Sequence, residues 1–102
     1  MTFAKTTRLV SDADTLVTSD PIYPMRRQDE TGKVQVVITG GSGTLKIQGR
    51  SEDAAPWATI LTVTESDMGD NDTLYAVLEL CPQMRADLVT ISGATVNVWL
   101  TE

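Results

Sequence analysis

Histidine is absent from this sequence, and cysteine occurs once, as Cys81. The absence of histidine removes the commonest general base and the commonest transition-metal ligand in proteins. A single cysteine excludes an intrachain disulfide and any zinc site that needs several thiolates. The sequence therefore predicts a protein that is not an enzyme and that uses no cofactor or metal.

Basic charge and long apolar runs are also scarce. The chain has 8 Lys+Arg against 14 Asp+Glu, a formal net charge of -6, which argues against nucleic acid or an anionic membrane as a partner. No apolar run is long enough to cross a bilayer, and the first residues break the pattern of a secretory signal. We therefore expect folding in a reducing cytoplasm, with Cys81 as a small buried hydrophobic residue rather than a nucleophile.

Alternation of apolar and polar residues dominates the chain from residue 33 onward. Its period of two is typical of strands with one buried face. It predicts six strands, over residues 33–39, 44–48, 57–64, 74–80, 85–91 and 94–101. The fourth also fits a helix by composition, but Pro82 and the β-rich flanks favour a strand, and residues 6–10 and 15–19 are candidates for one or two more. This pattern predicts an all-β antiparallel sandwich of the jelly-roll or Ig-like type.

Two glycine-containing segments are predicted to be hairpin turns. Residues 40–43 join the first two predicted strands, and residues 92–93 join the last two. Both segments have lengths typical of hairpin connections. In the third strand, the period of two places Trp57 on the same face as Leu61 and Val63.

The first 32 residues differ in character from the rest of the chain. Their apolar residues are scattered, and Pro21 and Pro24 favour an extended path. They carry four basic and five acidic side chains, whereas residues 33–102 carry four basic and nine acidic ones. We therefore predict an extended N-terminal arm over residues 1–32, needed for attachment but not for folding, and a single sandwich body over residues 33–102.

Three segments match functional motifs only in part. Residues 40–46 lack the glycine spacing and the following helix of a phosphate-binding loop, so a turn is favoured. The acidic segment 66–72 has oxygen ligands for calcium but lacks the EF-hand pattern, so a solvated loop is favoured. Glu65, Asp67 and Glu79 could supply a carboxylate pair for glycoside hydrolysis. Nothing in the sequence fixes their separation, and a chain with 5% aromatic residues makes a poor sugar cleft.

The last predicted strand carries a large aromatic residue on its less apolar face. Two alternating sets of residues share this strand, and the more apolar set comprises Val96, Val98 and Leu100. Trp99 and Asn97 belong to the other set and therefore point away from the better core face. Tryptophan is enriched at protein interfaces. Two alternatives remain open for the cover of Trp99: another subunit, or the N-terminal segment of its own chain.

Two stretches of the sequence carry a resemblance to a known family. The first is Gly-Thr-Leu-Lys-Ile-Gln-Gly-Arg-Ser at residues 43–51, followed by Ala-Pro-Trp at residues 55–57. The second is Met-Arg-Ala at residues 84–86, followed by Ser-Gly-Ala-Thr-Val-Asn-Val-Trp-Leu at residues 92–100. Together they resemble small β-sandwich structural proteins of tailed bacteriophages. Those proteins have a G-T-L-x-[IV]-Q-G strand before a tryptophan and S-G-x-x-x-V-x-[WY]-L near the C-terminus.

The resemblance covers residues 34–101 and implies a binding and scaffolding role in the virion, with no active site. It implies a capsid decoration (cement) protein that stabilises the major capsid protein lattice as a homotrimer, after assembly in the host cytoplasm. A neck, tail or head-fibre subunit is the alternative within the same class. A carbohydrate-binding module is the alternative from another class, with only Trp57 and Trp99 available to stack on sugar rings.

The interface of such a protein would combine one sheet face with the arm. An extended arm adds contacts across subunit boundaries, and repeated contacts strengthen attachment to a shell. We therefore predict that Trp99 and Asn97 of the last strand, and Tyr23, Arg26 and Arg27 of the arm, contact the major capsid protein, another virion protein or a neighbouring copy.

Overall fold

A computed structural model of the chain describes residues 5–24 and 31–102. The strands are β1 (Thr6–Ala13), β2 (Val17–Thr18), β3 (Thr31–Thr39), β4 (Ser42–Arg50), β5 (Ala58–Thr64), β6 (Thr73–Glu79), β7 (Gln83–Ser92) and β8 (Thr95–Thr101). Two 3-10 turns, Glu65–Asp67 and Asp70–Asp72, separate β5 from β6. The six strands predicted from residue 33 onward are confirmed, including β6, and so are the two N-terminal candidates. Within residues 5–24 and 31–102 no helix is long and apolar enough to span a membrane.

The strands form two antiparallel sheets of four strands each. Sheet 1 has the order β1-β8-β3-β6, and sheet 2 has the order β2-β7-β4-β5. Every connection except the one from β4 to β5 leads from one sheet to the other. This is the strand order of an eight-stranded jelly roll, an architecture of two packed sheets. The predicted sandwich is confirmed, and the strand order selects the jelly-roll alternative.

The inner faces of the two sheets form the core. The burial of β3, β4, β7 and β8 alternates along each strand, because successive side chains point to opposite sides of a sheet. Fully burying one aliphatic side chain contributes about 1.5–3 kcal/mol. The buried valine, leucine and isoleucine residues of these four strands are Val34, Val36, Ile38, Leu45, Ile47, Leu88, Val96, Val98 and Leu100.

Both glycine-containing turns lead from one sheet to the other. β3 and β4 lie in different sheets, and so do β7 and β8, so the prediction of two hairpins is wrong. The two turns meet at one end of the sandwich, where a Cβ on Gly41 would collide with the carbonyl oxygen of Ser92. Gly40 and Gly93 have positive φ angles of 86° and 67°. Turn composition indicates a tight reversal, but it does not indicate which sheet receives the next strand.

A β-bulge in β5 turns Trp57 away from the core. The register shifts between Ile47 and Gln48 of β4, which leaves Ile60 as an extra residue in β5. One inserted residue exchanges the faces of the residues before it. Leu61 therefore packs against the core, whereas Trp57 lies on the outer face of sheet 2 against two arginines. The prediction that these two residues share a face is wrong for this reason.

The N-terminal segment supplies an edge strand to each sheet. β1 pairs with β8, and β2 pairs with β7. Val10 of β1 is 3% exposed and belongs to the core. The boundary predicted at residue 32 therefore needs correction, because the described part of the predicted arm contains two strands of the sandwich. Residues 25–30 lie outside the described residues.

Deleting residues 1–24 is expected to abolish the cooperative thermal transition, because the deletion removes β1, β2 and the core residue Val10. The single change Val10→Ala is expected to lower the free energy of unfolding by about 1–3 kcal/mol. Leu16→Ala, at a residue 61% exposed in the same segment, is the control and is expected to have little effect. A truncated chain that melts like the full chain would restore the arm interpretation.

Gly41→Ala is expected to lower the free energy of unfolding by about 1–3 kcal/mol, the usual cost of overpacking. The added methyl group would meet backbone atoms of Ser92, Gly93 and Ala94, which cannot move aside as a side chain can. Gly69→Ala is the control, because a Cβ there would be in ordinary contact, 3.5 Å from the carbonyl oxygen of Thr73. Urea unfolding measures both, and equal effects would contradict the close approach of the two turns.

Candidate interaction surfaces

Trp99 lies on the outer face of sheet 1, as strand alternation predicts. It stands directly opposite Arg8 of β1 on one side and Gln35 of β3 on the other. The guanidinium carbon of Arg8 lies 4.9 Å from the centroid of the Trp99 ring, within the range of a cation–π contact. The indole is half-buried. The N-terminal segment of the same chain thus supplies part of its cover, and the rest of the indole remains accessible.

Asn97 holds β1 against β8. Its Oδ1 accepts hydrogen bonds from the Arg8 guanidinium and from the backbone N–H of Asp12, the latter at 2.7 Å. Asp12 has a positive φ of 48°, in a part of β1 where the register with β8 shifts. The side-chain oxygen of Asn97 therefore supports the irregular end of β1. A role for Asn97 at an interface stays a prediction.

A row of side chains crosses the outer face of sheet 1. Arg8, Trp99, Gln35 and Tyr75 occupy successive strands in register. The hydroxyl of Tyr75 donates a hydrogen bond to Oε1 of Gln35 at 2.7 Å. Tyr75 and Val77 of β6 are each 66% exposed. Sequence reasoning missed both, although the alternation that turns Leu74, Ala76 and Leu78 toward the core places the intervening residues outward.

The other predicted interface residues do not join this row. Tyr23 is 63% exposed and follows Ile22, whose bridge to Met84 attaches it to sheet 2. It lines a shallow depression with residues 51–54 and Gln83. The structure thus brings Trp99 and Asn97 together and places Tyr23 elsewhere. Arg26 and Arg27 lie outside the described residues.

A symmetric pair of arginine–glutamine contacts lies on the outer face of sheet 2. The tripeptide Gln-x-Arg occurs in β4 as Gln48 and Arg50 and in β7 as Gln83 and Arg85. The antiparallel register places each arginine opposite the glutamine of the other strand. Each arginine Nε donates to the opposite glutamine Oε1 at 2.8 Å. The repeated tripeptide was the sequence signal for this arrangement, and sequence reasoning missed it.

Trp57 contacts both arginines of this pair. The guanidinium carbon of Arg50 lies 4.3 Å from the ring centroid, and that of Arg85 lies 4.4 Å from it. Asp53 accepts a hydrogen bond from Nε2 of Gln83 at 2.8 Å and forms a 3.5 Å ion pair with Arg50. These contacts form one network, which we call the Trp57 cluster. Its polar groups are largely occupied by one another.

The acidic loop between β5 and β6 uses two carboxylates to hold its own backbone and that of β4. Oδ2 of Asp67 accepts a hydrogen bond from the Thr64 backbone N–H at 2.8 Å. Oε2 of Glu65 accepts one from the Gly43 backbone N–H at 3.1 Å. Across residues 5–24 and 31–102 no group of three or more acidic or thiol side chains is arranged to hold a metal ion. The hydrogen bonds of Glu65 and Asp67 support the interpretation of a solvated loop.

The structure also shows where the remaining candidate motifs lie, namely the carboxylates considered for glycoside hydrolysis and the glycine-rich segment. Glu65 and Asp67 precede β6 and Glu79 ends it. The seven residues of β6 put about 20 Å between the two ends. That separation is too large for a glycosidase pair between Glu79 and either Glu65 or Asp67, because the carboxyl groups of such a pair lie at most about 9.5 Å apart. The glycine-rich segment 40–43 leads into β4 rather than into a helix, so it lacks the architecture of a phosphate-binding loop.

The fold has a solved counterpart. The chain is similar to the crystal structure of YomS, a protein derived from the SPBc2 prophage, with a TM-score of 0.57 and 12% sequence identity. The alignment covers 100% of this chain and 97% of that one. No family model and no curated protein matches the sequence. At this identity the similarity shows a shared fold, and it includes the N-terminal strands.

Trp57→Ala is expected to lower the free energy of unfolding by about 1–2 kcal/mol, because two partly exposed cation–π contacts contribute about 0.5–1 kcal/mol each. The melting temperature should fall by about 4–8 °C for each kcal/mol. Trp57→Phe keeps an aromatic face for the two arginines and is expected to lose less stability. A Trp57→Ala variant as stable as the native chain would show that the cluster does not stabilise the fold.

Proposed function

We propose that the protein is a structural protein of a tailed-bacteriophage virion, and specifically a capsid decoration (cement) protein that binds the major capsid protein lattice as a homotrimer. The observation that supports this most is the similarity of fold to a prophage-derived protein over almost all of both chains. The two stretches that resemble phage structural proteins contribute to β4, β7 and β8. The resemblance therefore concerns the framework of the sandwich.

The outer face of sheet 1 is the surface best suited to the capsid contact. Trp99 is half-buried there, and Tyr75 and Val77 are well exposed on the same face. Interface hot spots are enriched in tryptophan, tyrosine and arginine, and this face has Arg8 beside Trp99. On the outer face of sheet 2, Trp57 and the two arginines already contact one another in the Trp57 cluster.

The charge distribution is compatible with the same face, although the strands of sheet 2 also lack an acidic excess. Arg8 and Lys33 balance Asp12 and Glu79 in β1, β3 and β6 of sheet 1, whereas the whole chain has a formal net charge of -6. A partner can therefore approach this face without the repulsion that the acidic loops impose. The acidic loop 65–72 lies at one end of the sandwich, where its charge keeps an outward surface hydrated.

A homotrimer would multiply a modest contact. One exposed sheet face supplies a small interface, and three linked copies bind a repeating lattice far more tightly than one. A closed ring of three uses head-to-tail contacts between unlike surfaces of neighbouring chains. Because the outer face of sheet 1 is assigned to the capsid, the trimer contacts would use other surfaces of the sandwich.

One observation favours a carbohydrate-binding module as a second candidate. Trp99 and Tyr75 occupy the same row, separated by the strand that carries Gln35, which corresponds to about 10 Å. Two aromatic rings with an amide between them can contact a sugar chain. Against this, the Arg8 guanidinium already lies over the Trp99 ring, so a sugar would have to displace it.

Electron microscopy of particles from the phage or induced prophage that encodes the chain tests the proposal directly. A gold-labelled antibody against the chain should decorate the shell at regular positions. Label confined to the neck, the tail or fibres would assign the protein to the alternative within the same class. Absence of the chain from purified particles would contradict a virion role, and a glycan array would then test the carbohydrate alternative.

Trp99→Ala is expected to weaken binding to particles that lack the protein by about 30-fold or more, because a tryptophan at an interface centre contributes 2 kcal/mol or more. Trp57→Ala is the matched control: it removes the other half-buried tryptophan, also in contact with arginine, from the opposite sheet. The control should lose stability but keep binding within about threefold. Co-sedimentation and thermal melting measure the two effects, and equal losses of binding would exclude sheet 1 as the capsid face.

A further inference from the structure

The four sheet edges of the sandwich differ in how they are protected. An unprotected edge strand presents unpaired N–H and C=O groups that can pair with another chain, and proteins block such edges with bulges, prolines, charges or short strands. β1 has two register shifts along its pairing with β8. β2 has only two residues and is followed by Pro21. β5 follows Pro56 and contains the bulge at Ile60.

β6 has none of these protections, although at its first residue the carbonyl oxygen of Thr73 already accepts a hydrogen bond from the backbone N–H of Gly69 at 2.9 Å. It pairs with β3 through seven consecutive residues without a register shift. Its sequence, Thr-Leu-Tyr-Ala-Val-Leu-Glu, has no proline and a single charge at its last position. Tyr75 and Val77 project from it into solvent, and a shallow open groove at this edge is lined by Lys33, Tyr75, Ala76 and Val77. A straight, apolar and open strand edge of this kind is suited to strand addition.

We propose that β6 pairs antiparallel with β6 of a second copy of this chain, with Ala76 opposite Ala76. In this register Tyr75 lies opposite Val77 on the outer face, twice by symmetry, and Leu74 lies opposite Leu78 on the inner face. Aromatic residues opposite β-branched ones are favourable cross-strand pairs. The side chains therefore keep their faces across the junction, and two copies of sheet 1 form one continuous sheet of eight strands.

The charges within the strand are compatible with a second copy as the occupant, although Glu79 of one copy comes close to Asp72 of the other. Glu79, the strand's single charged residue, lies opposite Thr73 in this register, so no like charges face each other directly. On β3 Lys33 lies opposite Val77, one step along the same face from Glu79, and balances its charge. Registers displaced by two residues place Glu79 opposite Tyr75 or opposite the loop residue Asn71. The centred register therefore pairs the strand best with itself.

The pairing is two-fold and goes beyond the proposed trimer, because a two-fold contact cannot build a three-membered ring. It joins two chains in solution, or two trimers where trimers form. A single seven-residue edge buries less than the roughly 800 Å² per partner of a standard stable interface. The association is therefore weak and concentration-dependent, and its failure would leave binding to the capsid untouched.

Light scattering of the purified full chain over a concentration series, up to about 1 mM, tests the proposal. Val77→Glu places two further carboxylates beside the two-fold axis and should weaken the pairing about tenfold or more. At a concentration where about half of the native chains are paired, a tenfold weaker pairing leaves about 15% of the variant chains paired, so the mass of the variant should lie close to that of a single chain. Val77→Thr, a β-branched residue of similar size, is the matched control and should keep the native mass. Circular dichroism checks that each variant folds.

Tyr75→Lys alone should also weaken the pairing, and the double variant Tyr75→Lys, Val77→Glu should restore it. In the proposed register each new lysine lies opposite a new glutamate of the other copy. Restoration distinguishes this pairing from a general effect of charge on the surface. A native chain that does not change mass over the whole concentration range, or a Val77→Glu chain with the native mass, would overturn the proposal.

Discussion

Packing of the two inner faces is the constraint on which the rest of the structure depends. Val34 and Val36 of sheet 1 and Leu45 and Ile47 of sheet 2 are fully buried, so the space between the sheets is occupied by the chain's own side chains. A ligand or partner therefore finds only outer faces, strand edges and loops. This is why the candidate sites of the molecule are surfaces, and why the charges and aromatic residues on each outer face decide what that face can bind.

Alternation predicted much of the fold because most of the strands are regular. β8 runs from Thr95 to Thr101 in continuous register with β3, so the outward position of Trp99 could be predicted from its neighbours. The same reasoning failed for Trp57, because the extra residue Ile60 changes the face and leaves no mark in the pattern. The prediction of two hairpins failed for a different reason. Glycines predict a reversal of the chain, whereas the sheet that receives the next strand depends on strands distant in sequence.

The surfaces were harder to predict than the core, because they depend on register. The Trp57 cluster requires Gln48 opposite Arg85 and Arg50 opposite Gln83, and this pairing is visible only once β4 and β7 are neighbours. The row through Tyr75 requires β6 beside β3, although the two strands are separated by more than thirty residues in sequence. Residue types alone led to the prediction of an interface at Trp99, which stays a prediction, but they could not indicate the neighbours of Trp99.

The outer faces of the two sheets carry similar residues, but these residues occupy one another's binding groups to different extents. On sheet 2 each arginine Nε binds the glutamine of the opposite strand and both guanidinium groups contact Trp57, so the cluster is largely satisfied without a partner. On sheet 1 a single guanidinium covers Trp99, while Tyr75 and Val77 continue the apolar surface to an open strand edge. Because binding free energy comes from surface still exposed to water, sheet 1 has more to gain from a partner than sheet 2.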